Sequence, residues 1–264
     1  MFFTDKIVLI TGASSGIGEA MAYELAKKNA KLVLASNQPE ELERVKRKCL
    51  EIGSNCEYLF LDLADAKSIQ SFAEGAVRIH NGIDVLINNG GISQRAKAVD
   101  ASLDLDRKIM EINYFGQIAL TKAILPYMIK QRSGYITTTS SISGLFGFPL
   151  RSAYAASKHA LHGFYETLRS EVYEYNIKVL IAFPGRVQTN ISLHALNEKG
   201  EVHGKMDEGQ AGGISAEKCA KKYLRAIKRD KKEVLIGSKE LLMVYIHKYF
   251  PKLFYNLARK IDPT

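Results

Sequence analysis

Seven short apolar runs, separated by segments of helical periodicity, constrain the fold of this chain more than any other feature. They lie at residues 6–10, 31–35, 56–61, 85–88, 135–140, 178–183 and 233–236. Helical patterns fill the intervals near 16–28, 40–51, 67–80, 105–132, 153–175 and 216–228. A strand that is apolar on every residue has both faces buried, whereas a strand with one wet face alternates. The alternation of such strands with helices therefore predicts a doubly wound α/β Rossmann fold, with a parallel seven-stranded sheet covered on both faces.

At 264 residues, with no repeat, low-complexity tract or Pro-rich linker, the chain is expected to form one domain over 1–264. One stretch departs from the pattern. Residues 189–213 are polar, aperiodic and contain Gly200, Gly204, Gly209, Gly212 and Gly213. Because this stretch follows the sixth strand, and ligands of open α/β sheets bind beyond the carboxyl ends of the strands, it reads as a lid.

Composition narrows the function classes. Cys49, Cys56 and Cys219 are an odd number without a Cys-x-x-Cys pair, and the six histidines form no His-Glu-x-x-His pattern. Neither a disulfide framework nor a metal site is indicated, and a reducing, cytoplasmic setting is expected. The opening Met1-Phe2-Phe3-Thr4-Asp5 runs straight into the first strand, which leaves no signal or transit segment in the chain as read.

The net charge of +9 is uneven. From Ser215 to Thr264 there are 13 Lys/Arg against 5 Asp/Glu, which accounts for eight of the nine positive charges. The same region carries Leu241, Leu242, Met243, Val244, Tyr245 and Ile246, then Leu253, Phe254, Leu257 and Ile261. This basic, apolar extension at 239–264 is too short to span a bilayer. It points to peripheral membrane contact rather than nucleic acid, or to a helix docked on its own core with lysines outward.

Two motifs carry chemistry. Thr11-Gly12-Ala13-Ser14-Ser15-Gly16-Ile17-Gly18 follows the first strand and opens a helix. Gly12 and Gly16 permit the tight turn and Gly18 a close helix, so that N–H groups and the helix dipole face a phosphate. Tyr154 and Lys158, four residues apart on a helix, share one face, where an ammonium lowers the pKa of a phenol. Ser140 and Ser141 end the fifth strand just upstream.

With Asp62-Leu63, Asn88-Asn89-Gly90-Gly91, Asn113, Ser141, Tyr154 to Lys158, and Pro184-Gly185 with Thr189 in the same order, the chain resembles the short-chain dehydrogenase/reductase family. The run Asn88-Asn89-Gly90-Gly91-Ile92-Ser93-Gln94-Arg95 and the basic tail are similar to the branch with dehydrogenase/reductase family member 7 and the 11-beta-hydroxysteroid dehydrogenases. Gly90 stands where the family pattern has alanine. The resemblance implies that Tyr154 exchanges the proton at the substrate oxygen, Lys158 tunes it and holds the nicotinamide ribose, Ser141 hydrogen-bonds the carbonyl, and Asn113 supports a water in the proton relay.

It also implies a cofactor site formed by Gly12, Ser14, Ser15, Gly16, Ile17, Gly18, Ser36, Asn37, Asp62, Leu63, Asn89, Gly90, Tyr154, Lys158, Pro184, Gly185, Val187 and Thr189. The end of the second strand, Ala35-Ser36-Asn37-Gln38, offers no acid for ribose hydroxyls and no arginine for a 2′-phosphate. The missing acid favours NADP(H), with NAD(H) as the alternative. The expected activity is hydride transfer between nicotinamide and a small-molecule carbonyl/alcohol pair on an apolar steroid, retinoid or lipid-like substrate. The family further implies a homodimer or homotetramer, paired through the helices that hold Asn113 and Tyr154. A non-catalytic nucleotide sensor or scaffold is the competing reading, and it has no need of the Ser141, Tyr154 and Lys158 set.

Overall fold

In the computed structural model, which describes residues 2–260, nine strands form. They are β1 (Ile7–Thr11), β2 (Lys31–Ser36), β3 (Cys56–Phe60), β4 (Val85–Asn88), β5 (Gly134–Thr139), β6 (Ile177–Pro184), β7 (Val187–Gln188), β8 (Ile214–Ser215) and β9 (Glu233–Ile236). Seven of them form one parallel sheet in the order β3-β2-β1-β4-β5-β6-β9, and β7 pairs only with β8. The strand order reverses between β1 and β4, and the crevice opens at the carboxyl ends of these strands.

The helices are α1 (Gly16–Ala26), α2 (Pro39–Ile52), α3 (Ile69–His80), α4 (Leu103–Met110), α5 (Gly116–Gln131), α6 (Ser152–Glu171), α7 (Glu208–Ala211), α8 (Ala216–Lys228), α9 (Leu242–Tyr249) and α10 (Pro251–Ala258). Side chains alternate across the strands and so divide between two cores. Val8, Ile10, Leu32 and Leu34 pack with Met21, Leu25, Leu42 and Tyr223 of α1, α2 and α8. Leu9, Val33, Leu86 and Ile136 pack with Phe72, Leu120, Ile124 and Tyr165 of α3, α5 and α6. Both faces are thus covered, as the unbroken apolar strands require.

The single helical pattern read over 105–132 is interrupted. Residues Glu111–Phe115 form a π-helical turn between α4 and α5, with Asn113 buried inside it. The turn differs from its neighbours in the register of its backbone bonds, which a side-chain pattern does not name. The stretch 189–213 is also more ordered than its composition suggests. The two-residue pair β7 and β8 fastens its ends, and Leu196 exchanges backbone bonds with Arg95 and Ser93 at 2.8 and 2.9 Å.

The C-terminal hairpin of α9 and α10 sits beside the turn after β5. Phe254 is buried against Ile142 and Phe146, while Tyr245, Tyr249, Phe250, Leu253 and Tyr255 are exposed. The extension is therefore docked on the core along one face and apolar outward along another. Ile261 and the rest of its last four residues lie outside the described residues. Among the described residues no helix is long and apolar enough to cross a membrane.

Candidate active site

A cleft of about 1640 Å³ runs along the carboxyl ends of the strands, from α2 to the C-terminal hairpin. At its floor the chain leaves β1 through Gly12 and Gly16, at φ of +62° and +59°, conformations that favour glycine. A Cβ on Gly18 would collide with the Gly12 carbonyl, so the start of α1 lies directly on the turn. Ser15 occupies the N-cap of α1 but makes no capping bond with its side chain, which leaves first-turn amides and the positive helix end to the cleft.

Asn89 locks this turn. Its Nδ2 donates to the carbonyls of Thr11 and Gly12 at 3.3 Å, and the Thr11 hydroxyl accepts the amides of Asn89 and Gly90 at 3.0 and 2.9 Å. The turn is pre-formed for an anion such as a dinucleotide pyrophosphate, and the bare backbone at positions 12, 16 and 18 fits that group.

Tyr154 and Lys158 stand on the first two turns of α6, both buried. The Lys158 ammonium donates to the carbonyl of Thr139 at 2.8 Å and lies 5.6 Å from the Tyr154 ring centre. Burial, with few charged neighbours, pulls the Lys158 pKa down to about 8. Burial likewise raises the pKa of Tyr154, and the Ser141 hydroxyl and the Arg151 and Arg95 guanidinia only partly oppose it. The expected lowering by Lys158 is not what shapes the phenol: burial outweighs the opposing Ser141, Arg151 and Arg95, and the pKa of Tyr154 lies above the ordinary value.

Ser141 caps the short turn after β5, accepting the amide of Ser143 at 3.1 Å. Ser140 instead donates to the carbonyl of Lys158 at 3.0 Å, which turns it away from the role of Ser141 and ties β5 to α6. Behind this group, the Asn113 carboxamide accepts the Ile92 amide at 2.8 Å and donates to the Ile92 carbonyl and Ser157 hydroxyl at 3.0 and 3.1 Å. A Cβ on Gly91 would stand 2.9 Å from Asn113 Oδ1 and 3.6 Å from Lys158 Nζ, so Gly91 keeps open the space between them.

The fold brings the predicted residues together. Ser14, Ser15, Ile17, Ser36, Asn37, Asp62, Leu63, Gly90, Ser141, Tyr154, Lys158, Pro184, Gly185, Val187 and Thr189 all border the cleft with Gly12, Gly16 and Asn89. Gly18 and Asn113 lie one layer behind it, acting on the wall rather than forming it. Phe148 borders the cleft, whereas Phe146 is core, packed on Phe254 with ring centres 5.0 Å apart.

Sequence reasoning missed an ionic cluster at the mouth. Asp207, only 4% exposed, accepts Arg95 Nε at 3.1 Å through both oxygens and Arg151 Nη2 at 2.9 Å. It joins the segment 189–213 to the loop after β4 and to the start of α6. Arg95 ends the Asn88 to Arg95 run, but a partner 112 residues away leaves no mark in local sequence. Arg44 was missed as well: no arginine stands at the end of β2, yet α2 carries one back to the Ser14 carbonyl at 3.2 Å.

A phosphate-receiving turn joined to a buried Ser-Tyr-Lys group on a doubly wound sheet is the arrangement of a nucleotide-dependent oxidoreductase. The chain belongs to the short-chain dehydrogenase/reductase family, whose short chain dehydrogenase model matches residues 6–199. It is 42% identical over 260 residues to a dehydrogenase/reductase SDR family protein 7-like of Drosophila melanogaster, covering 97% of this chain and 80% of that one. It is 42% identical over 266 residues to dehydrogenase/reductase SDR family member 7 of Homo sapiens, covering 98% and 78%. The fold matches that of a short chain dehydrogenase/reductase from Burkholderia phymatum in complex with NAD, with a TM-score of 0.85, 23% identity and coverage of 100% and 98%.

Proposed function

We propose that the protein is an NADP(H)-dependent oxidoreductase that interconverts a carbonyl and an alcohol on an apolar small molecule. The observation that carries this reading is the convergence of Ser141, Tyr154 and Lys158 on one wall of a cleft whose floor is a phosphate-receiving turn. A nucleotide sensor would need the turn and not the buried phenol. Bound nicotinamide would supply or accept the hydride. The chain would hold it through the amides of the α1 N-terminus, Asp62 at the adenosine side and the 184–189 segment at the other.

Ser141 would donate to the substrate oxygen as charge develops there, from a hydroxyl already oriented by its backbone contacts. Tyr154, whose burial raises its pKa above the ordinary phenol value, would exchange a proton with that oxygen. Lys158 would draw the proton's replacement through the space that Gly91 leaves beside Asn113. Ile92, Phe148, Ile191 and Met243 line the cleft and support an apolar substrate. NADPH consumption over a panel of apolar ketones and aldehydes, with NADH in parallel, tests the reading; absence of turnover with every member contradicts it.

Two features support the expected partners. Phe115 and Tyr173, exposed at 47% and 79%, sit at the ends of the α5 and α6 layer and suit pairing of two copies through these helices. The exposed aromatic face of α9 and α10, with Lys248 and Lys252, suits an anionic membrane surface.

A further inference from the structure

We propose that Arg44 is the specificity-determining residue for a 2′-phosphate at the adenosine end of the cleft. The inference rests on the nicotinamide-nucleotide reading above and adds the residue that sets the preference. The end of β2, Ser36-Asn37-Gln38, carries no charge. Ser36 Oγ lies 3.0 Å from Ser14 Oγ and accepts the Gln38 amide at 3.3 Å, so two hydroxyls already face one another at this corner. Arg44 closes it from α2, donating Nη2 to the Ser14 carbonyl at 3.2 Å.

The guanidinium is held rather than loose. Its Nε donates to Glu41 at 2.7 Å, and Nη1 donates to Glu19 at 2.6 Å and to the Tyr23 hydroxyl at 3.3 Å. These bonds use four of the five N–H donors and leave one on Nη2, the nitrogen held at the Ser14 carbonyl on the border of the cleft. The two carboxylates raise the pKa of the group further above the ordinary guanidinium value. Among the described residues bordering this corner, from Ser14 to Tyr23 and from Ala35 to Arg44, Arg44 is the one cation, set against Glu19, Glu40 and Glu41.

That imbalance makes Arg44 decisive. A phosphate monoester brings a charge of about −1.5 to −2 at neutral pH. With Arg44 present, it meets a fixed cationic donor that offsets part of the acidic charge. Without Arg44, it meets uncompensated glutamates, whereas an adenosine with a free 2′-hydroxyl has little charge to be repelled. Discrimination therefore lies in a residue eight positions beyond the strand end.

Calorimetric titration of the full chain with 2′,5′-ADP and with 5′-AMP tests this without turnover. Arg44→Met is expected to weaken 2′,5′-ADP by about 10- to 100-fold, the effect of one hydrogen bond to a charged group, and to leave 5′-AMP within about 2-fold. Arg44→Lys, which keeps the charge without the fork, should fall between, and Glu41→Gln should tighten 2′,5′-ADP alone. Equal weakening of both nucleotides by Arg44→Met, or no change in either, overturns the assignment while leaving the nucleotide reading intact. Failure of the unaltered protein to bind either nucleotide overturns both.

Discussion

At Ser141, Gly91 and Lys158 small changes in atoms have separable consequences. Ser141→Ala removes a preorganised donor aimed at a developing oxyanion, and kcat is expected to fall by about 10²- to 10³-fold with cofactor affinity unchanged, as steady-state kinetics and nucleotide titration would show. Gly91→Ala places a Cβ 2.9 Å from an Asn113 oxygen that is fixed by the Ile92 amide. Turnover should drop while secondary structure by circular dichroism is retained. Lys158 has a definite sign. Its folded pKa of about 8 lies below the unfolded value of 10.5, so between these pH values the unfolded chain holds the extra proton. Stability contributed by this group therefore rises with pH through that window. The Tm advantage of Lys158→Met over the unaltered protein should shrink from pH 8 to pH 10.5, and a constant difference would show that the ammonium is not desolvated. The Ser141, Tyr154 and Lys158 set was legible in the sequence through its resemblance to the family pattern, since helical spacing puts Tyr154 and Lys158 on one face but does not choose Ser141 over Ser140 or Ser143. The balance of influences on Tyr154 was not, since burial and the neighbouring Arg95 and Arg151 are set by the whole fold.

Elements differ in how much of their geometry is local. The strands at Val85–Asn88 and Glu233–Ile236 and the helix at Ala216–Lys228 fall where apolar runs and periodicity put them, since each is decided by its own side chains. The π-helical turn at Glu111–Phe115 and the fastening of 189–213 by β7 and β8 were hidden, because both depend on backbone bonds whose partners the side-chain pattern does not name. The same holds for Asp207, whose partners Arg95 and Arg151 belong to other elements. Asp207→Ala would leave the buried Arg95 guanidinium without its carboxylate. A loss of about 3–5 kcal/mol is expected in urea unfolding, together with faster proteolysis within 189–213. An unchanged denaturation midpoint would show that this contact does not hold the segment. Leu150, at φ of +63°, precedes Arg151 in a conformation that costs a bulky residue roughly 1–2 kcal/mol, and its carbonyl accepts the Ala96 amide at 3.2 Å. The strained turn thus brings the loop after β4 against the start of α6, where the ionic cluster forms.

Across the whole molecule, the doubly wound sheet puts a phosphate-receiving turn at the switch point between β1 and β4 and the buried phenol on the helix that follows β5. Chain parts more than a hundred residues apart in sequence thereby share one cleft, and the parallel, doubly wound class was readable because unbroken apolar strands alternating with helices admit few arrangements. The placement of the C-terminal hairpin was only half readable: its apolar residues divide between the core, through Phe254, and the surface, through Tyr249 and Phe250. Proton transfer at Tyr154 is the step on which the proposed reaction turns. The most direct test measures NADPH oxidation with a turned-over apolar carbonyl beside Tyr154→Phe, with NADPH affinity measured for both proteins. Turnover should be lost in the variant while NADPH still binds; a variant that binds NADPH and retains turnover would contradict proton transfer at Tyr154.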